Sequence, residues 1–321
     1  MLVINNFNQL IDSIQVETEQ RLQKLKLPLE PACLYDPIRF VLKGKGKRLR
    51  PVLVHLSGRG FSADSEDLMK AGMAVELMHN FTLVHDDIMD DDDTRHGYPT
   101  VHKQFGVNEA ILSGDSIFTL GQLMVGQITT NPIDAFKAFN QASLSICEGQ
   151  ALDLEFEHDP NVTLEQYLEM IGKKTGKLLS LCAELGAILG NQPEMIRKEM
   201  RNYGGYLGKA FQVQDDILEI FSDAQQMGKS LGSDVAAGKQ TILTLLARQA
   251  KGWSKIEHSK DKLPDLLQKM RAFFLETGVK DQADKLSNDF IQKAKSSLTI
   301  LKEGHRNTLI RFTELVLNRT H

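Results

Sequence analysis

His85-Asp86-Asp87-Ile88-Met89-Asp90-Asp91-Asp92-Asp93 sets the terms for the rest of the chain. Six of its nine residues are acidic, and the run before it is nearly all apolar. Upstream, Leu68, Ala71, Val75, Met78 and Phe81 recur at steps of three or four, while Ala74, Leu77 and Val84 fill a neighbouring face. This spacing predicts a long helix from Ser65, apolar around most of its circumference and therefore buried. One narrow polar line, His79, Thr82, Asp86 and Asp90, runs along it with Asp87 at its flank. Asp86 and Asp90 then lie one turn apart on one face, and such a line should border a cavity. Like charges at this spacing repel, and burying an unpaired carboxylate costs far more. A hard divalent cation, bound through oxygen, is the first candidate to offset that cost.

A second acidic helix repeats the arrangement. Residues 194–222 carry a long helical pattern that contains Phe211-Gln212-Val213-Gln214-Asp215-Asp216-Ile217-Leu218-Glu219. Asp215 and Glu219 are one turn apart, Asp216 sits beside them, and Gln212 precedes on the same face. A polar, glycine-punctuated loop from Gly228 to Thr241 follows and brings Lys229 and Lys239. Earlier in the chain, Lys43, Lys45, Lys47, Arg48 and Arg50 crowd between glycines. That segment alone is either a solvated basic turn or an anion site in which backbone and guanidinium approach an oxyanion. One explanation covers all four segments: carboxylates hold Mg²⁺, Mg²⁺ holds a phosphate-bearing ligand, and Lys and Arg complete the neutralisation. A diphosphate fits better than a mononucleotide, because no Walker A pattern or strand-borne GxGxxG is present.

Helical spacing dominates elsewhere. Residues 5–26 read as an amphipathic helix that Pro28 and Pro31 end,. Ala110–Gln122 and Ile133–Phe156 give further apolar-periodic segments, and Thr163 with Gln166 forms a capping-box pattern,. Glycines 172 and 176 then interrupt a helix that runs to about Gly190 and predict a kink or close packing there,. Ile242–Ala247 resumes a helix, residues 254–321 read as two or three more, and no strand is expected. Hydrophobic content of 41% supports a sizeable core, and a net charge of −4 gives no reason to expect nucleic acid,. Cys33, Cys147 and Cys182 are widely separated, which excludes CxxC-type zinc spacing and a disulfide framework,. The N-terminus lacks a basic n-region, and no stretch reaches the ~18 apolar residues of a membrane span. The expectation is a soluble cytoplasmic protein of one domain, residues 1–321.

These motifs, in this order, resemble the trans-isoprenyl diphosphate synthases of the polyprenyl synthetase family, above all the short-chain geranylgeranyl and farnesyl diphosphate synthases. Asp86-Asp87-Ile88-Met89-Asp90 followed by Arg95-His96-Gly97 matches the first aspartate-rich motif, and Asp215-Asp216-Ile217-Leu218-Glu219 the second. Gly46-Lys47-Arg48-Leu49-Arg50-Pro51, Gly149-Gln150, Lys174-Thr175 and the loop ending at Thr241 also match, so the resemblance spans about residues 40 to 250. It implies an all-α isoprenoid-synthase-type helical bundle around a deep central cavity, as a homodimer, with head-to-tail prenyl transfer as its chemistry. Three Mg²⁺ ions would be held by Asp86, Asp87 and Asp90 on one side and by Asp215, with Asp216 and Glu219 beside it, on the other. The allylic diphosphate would be bound by Arg95, Lys174, Lys229 and Lys239, and isopentenyl diphosphate by Lys47, Arg50, His79 and His96. Gln212, Thr175 and the carbonyl of Lys174 would stabilise the allylic cation, and the released diphosphate would take the final proton.

Two positions depart from the family pattern. Arg95-His96 replaces the usual Arg-Arg, which implies weaker isopentenyl diphosphate binding without loss of activity, and Glu219 replaces the usual third aspartate. Asp91, Asp92 and Asp93 fall in a variable segment and read as a solvated loop of excess charge. The resemblance implies that product length turns on the residues four and five before Asp86, namely Thr82 and Phe81. A small residue at the first and an aromatic only at the second resembles C20 synthases, with Ile117 and Phe118 as a deeper floor. The alternatives are a C15 or a C25-and-longer product, a terpene cyclase, or a non-catalytic synthase subunit. Lys47, Arg50 and Lys239 speak against the cyclase, and the retention of both acidic motifs against the silent subunit.

Overall fold

The helix expected from the apolar spacing before Asp86 forms as α4, Ser65–Met89, in a computed structural model. The structure describes residues 7–44, 46–95, 97–157, 159–222, 235, 237–257, 259 and 261–317. Asp64 caps α4 by accepting hydrogen bonds from the backbone N–H groups of Glu66 and Asp67,. From there α4 is buried on nearly every side, packed along α6 (Val107–Val125) and against α3 (Leu49–Arg59) and α9 (Lys177–Leu189).

α1 (Phe7–Gln23), α7 (Pro132–Phe156) and α10 (Glu194–Phe221) fall close to the bounds read from the spacing, and a short α5 (Val101–Phe105) precedes α6. α8 (Leu164–Ile171) begins with the anticipated capping box: Gln166 N–H donates to Thr163 Oγ1 at 3.2 Å, and Thr163 N–H to Gln166 Oε1 at 2.8 Å. Between α8 and α9, Gly172–Gly176 forms a π-helical turn, the form that the glycine interruption takes,. After α10 come α11 (Ile242–Ala247), α12 (Trp253–Glu257), α13 (Leu263–Glu276), α14 (Val279–Ser297) and α15 (Glu303–Leu317).

Three elements differ from the sequence expectation. α2 (Ala32–Lys43) forms despite Pro37 inside it, because a buried face of Pro37, Ile38 and Leu42 packs inward. α3 starts inside the basic stretch read as a turn or anion site. A short antiparallel hairpin pairs Thr94 with Pro99 and Arg95 with Tyr98, with Gly97 turning the chain at φ 80°. Too short to show period-two alternation, it left no strand signal in the sequence.

Two large apolar clusters make the core. One joins α3, α4, α7 and α9 to the first half of α10 through Met200, Tyr203 and Leu207. The other joins α8, α11, α13 and α14 to the second half of α10 through Ala210, Val213, Ile217 and Ile220. α10 is thus held on both halves, which fixes the polar residues on its remaining face. No described helix is long and apolar enough to cross a membrane.

Candidate active site

Both acidic clusters occupy the C-terminal turns of their helices, α4 ending at Met89 and α10 at Phe221. The helix dipole places partial negative charge on the last turn, so Asp86, Asp87 and Glu219, which lie within it, sit where a helix disfavours them,. They border one cavity of about 300 Å³. α4 contributes His79, Thr82, Asp86 and Asp90 to its lining, and α10 contributes Gln212, Asp215 and Asp216. Arg95 enters from the hairpin, Lys174 and Thr175 from the π turn, Arg50 from α3, and Lys239 from the segment before α11. The polar line on α4 therefore does border a cavity, and the second acidic helix borders the same one.

The cations meet the acids in pairs. Lys239 Nζ lies 2.7 Å from Asp90 Oδ2, across a sequence separation of 149 residues. Arg95 Nε donates to Asp87 Oδ1 at 2.7 Å. Lys174 Nζ lies 2.5 Å from Asp153 Oδ2 on α7. Burial pushes the Asp86 carboxyl above its ordinary range; Lys174 opposes this, Asp90 adds to it, and Arg95 and Lys239 oppose it. Burial alone would lower the Arg95 pKa, but its hydrogen bond to Asp87 and the charges of Asp87, Asp92 and Asp86 raise it, so it stays a cation.

Within each acidic pair the two aspartates differ. Asp86 and Asp215 line the cavity, whereas Asp87 is buried against Arg95. Asp216 also touches the cavity but is only 4% exposed and accepts hydrogen bonds from Tyr167, Gln212 and Ile242. Glu219 is buried to the same degree and is not part of the lining. Thr175 Oγ1 donates to Gln212 Oε1 at 2.8 Å, joining the π turn to α10.

Other expected site residues are dispersed. Lys47 is exposed and outside the cavity lining. Arg48, within the proposed anion segment, is buried and pairs with Glu76 of α4 at 2.7 Å, so it is part of the packing between α3 and α4. His96 and Lys229 lie outside the described residues. Asp91 and Asp93 are exposed, as expected, yet both meet Lys103, at 2.8 and 3.0 Å, so the loop charge is partly neutralised. Thr82 and Leu83 line the cavity, while Phe81 turns sideways onto Phe118 of α6, with ring centroids 5.1 Å apart; Phe118 stacks in turn on Phe139 at 6.0 Å.

Sequence reasoning missed Asp153 and Tyr167. Asp153 carried a usable signal, since it follows Gly149 by one turn on the same face of α7. Gly149 itself is there for close approach: a Cβ at that position would lie 2.3 Å from the backbone nitrogen of Lys174. Tyr167 gave no signal, because its partner Asp216 is 49 residues away.

The donor set on the acidic helices is all oxygen and suits a hard cation such as Mg²⁺. Among the described residues no three acids converge into a ready-made metal cage; Asp87 and Asp90 are engaged by Arg95 and Lys239.

The fold is the all-α isoprenoid-synthase bundle, with paired acidic helices around one cation-lined cavity. The chain belongs to the polyprenyl synthetase family, which it matches over residues 31–271. It is 35% identical over 310 residues to a geranylgeranyl pyrophosphate synthase of Geoglobus acetivorans, covering 94% of this chain and 96% of that one. It is 32% identical over 309 residues to a geranylfarnesyl diphosphate synthase of Natronomonas pharaonis, covering 89% of each. A polyprenyl synthase of Caulobacter crescentus CB15, solved with calcium and isoprenyl diphosphate, superposes with a TM-score of 0.87 at 28% identity, covering 98% of both chains.

Proposed function

We propose that this chain is a Mg²⁺-dependent prenyltransferase that condenses isopentenyl diphosphate head-to-tail with an allylic diphosphate, giving chiefly the C20 product geranylgeranyl diphosphate. The observation that carries this reading is the convergence of Asp86, Asp90 and Asp215 with Arg95, Lys174 and Lys239 on one cavity. Asp86, Asp90 and Asp215 would be the direct Mg²⁺ ligands, with Asp87, Asp216 and Glu219 behind them. The bound ions, up to three, supply Lewis-acid neutralisation of the departing diphosphate.

Arg95, Lys174 and Lys239, together with Lys229, bind the allylic diphosphate. The first three are already paired with Asp87, Asp153 and Asp90. They exchange a carboxylate for a diphosphate oxygen, so neither bound nor free protein buries an unpaired cation. Gln212 Oε1, Thr175 and the carbonyl of Lys174 direct partial negative charge toward the allylic cation as it forms. Lys47, Arg50, His79 and His96 hold isopentenyl diphosphate so that its double bond attacks that cation. The allylic carbon–oxygen bond breaks to leave the cation, the carbon–carbon bond then forms to it, and the released diphosphate takes the proton that restores the double bond.

Thr82 admits the growing chain, and the Phe81–Phe118–Phe139 series closes the space beyond it. The protein acts as a homodimer through α6 and α7. Leu112 and Leu123 on α6, and Ile133 and Leu144 on α7, are each more than half exposed and lie eleven residues apart, which is three turns of helix and hence one face,. Three unpaired cysteines, two of them exposed, support a cytoplasmic location,.

Mass spectrometry of products from each allylic primer with isopentenyl diphosphate and Mg²⁺ tests the activity. A C20 prenyl diphosphate is expected, and Thr82→Tyr should shorten it. A cyclic hydrocarbon from geranylgeranyl diphosphate alone, or no diphosphate release from any primer, refutes the reading. A C25 or longer main product moves the floor beyond Phe118.

A further inference from the structure

The second acid of the second motif is held differently from its neighbours. Asp216 Oδ2 accepts from Tyr167 Oη at 2.6 Å and from the backbone N–H of Ile242 at 2.9 Å, while its Oδ1 accepts from Gln212 Nε2 at 3.0 Å. The first donor comes from α8, the second from the start of α11 and the third from the preceding turn of α10. At 4% exposure this carboxylate is enclosed by the groups that hold it. Turning it toward a cation would break all three of these hydrogen bonds within a buried site,.

An ionised carboxylate can only accept hydrogen bonds. Facing Asp216 Oδ1, the Gln212 side chain must therefore present its NH₂ group. Its other end, Oε1, is then directed the opposite way, where it accepts from Thr175 Oγ1 at 2.8 Å beside the cavity. The orientation of a terminal amide, otherwise nearly free to flip, is thus fixed by one acid. We infer that Asp216 is a positioning residue that holds Gln212 with its carbonyl oxygen toward the reacting allylic carbon, and that it is not a metal ligand. This rests on the proposed prenyl transfer, in which a carbonyl dipole at that point stabilises the allylic cation and an NH₂ group opposes it.

Asp216→Asn separates this role from metal binding. The introduced amide still accepts from Tyr167 and Ile242 through its oxygen, but its own NH₂ now faces that of Gln212, and Gln212 flips. The single-turnover rate constant should fall on the order of 10²-fold. Adding Gln212→Glu restores an acceptor facing that introduced NH₂ and an oxygen facing Thr175. The double variant D216N/Q212E should recover to within about tenfold of the parent, whereas Q212E alone, which sets two carboxylates against each other, should not. Mg²⁺ titrations with a slow-reacting allylic thiodiphosphate, followed by calorimetry, should shift by less than about tenfold in D216N.

A double variant no faster than D216N, or a Mg²⁺ shift of about tenfold or more, overturns the inference. Melting temperatures of the four proteins give a reading independent of activity: Q212E, with its two opposed carboxylates, should melt below the double variant, and a double variant that melts at or below Q212E also overturns the inference. A parent that forms no prenyl product refutes the proposed function, and the melting series then still decides the hydrogen-bond arrangement.

Discussion

Replacing Gly149 with alanine sets local propensity against packing. Alanine is the better helix former by about 1 kcal/mol, so α7 taken alone gains from the change. The structure reverses the sign. A Cβ at position 149 would sit 2.3 Å from the Lys174 backbone nitrogen, 2.7 Å from its Cα and 2.8 Å from the Lys173 carbonyl carbon. Ordinary contact begins near 3.4 Å, so α7 and the π turn must part by about 1 Å, a displacement of the size that costs catalysis on the order of 10²-fold. Overpacking of this kind costs about 1–3 kcal/mol, which outweighs the propensity gain. The π turn carries Lys174 and Thr175, so activity should fall together with stability. A melting temperature lower by about 1–2 °C is expected for a net loss near 1 kcal/mol in a chain of 321 residues,. Gly205→Ala is the matched control: Gly205 lies inside α10, and an added Cβ would meet nothing within 4 Å. It should gain up to about 1 kcal/mol and keep its turnover. Thermal denaturation and steady-state kinetics on both variants decide the matter. If Gly149→Ala melts at or above the parent and turns over normally, the close approach of α7 to the π turn is refuted.

Arg48 and Glu76 form a buried pair with side chains 4% and 5% exposed. Arg48→Met should cost about 3–5 kcal/mol by stranding Glu76, and Arg48→Met with Glu76→Leu should recover most of it; a double variant no more stable in urea than the single one refutes the pairing. His55 is buried, with both ring nitrogens unpartnered among the described residues, and burial, then Arg59 and Arg21, hold its pKa down to about 3. The unfolded chain takes that proton near pH 6.5, so stability is full above this value and is lost as pH falls toward the folded pKa. His55→Leu should flatten the fall in urea midpoint between about pH 7 and pH 5, and an unchanged slope argues against the neutral buried imidazole. Asp86 has the opposite sign: its folded pKa is raised, so its charge weighs against the fold once pH exceeds the ordinary 3.8,. Asp86→Asn should raise the melting temperature of the ligand-free protein at neutral pH while lowering turnover by about 10³-fold; a variant that melts lower, or loses less than about tenfold in turnover, sinks this trade.

The long helices were legible because each repeats its burial pattern along its own length. α4, α7 and α10 came out within a few residues of their read bounds for that reason. α2 and α3 were not legible. α2 follows directly on Pro28 and Pro31 and holds Pro37 inside it, where a buried face outweighs the proline, and the basic run before Pro51 hid a helix start whose Arg48 finds its partner 28 residues away. The hairpin that delivers Arg95 is two residues per strand, too short for any periodicity.

What the sequence alone determined is which carboxylates share a face. Covalent geometry sets the angle between residues on one helix, so Asp86 with Asp90, and Asp215 with Glu219, followed from spacing, and with them the expectation of an oxygen-bound cation. Tertiary structure alone decided how neighbouring acids divide their work: Asp86 and Asp215 toward the cavity, Asp87 onto Arg95, Asp216 onto Tyr167, Gln212 and Ile242. It also chose the partners, Asp90 with Lys239 and Asp153 with Lys174. The physical reason is that adjacent acids are chemically alike in sequence. They are told apart only by what lies across from each, and that depends on separate helices packing as closely as Gly149 permits.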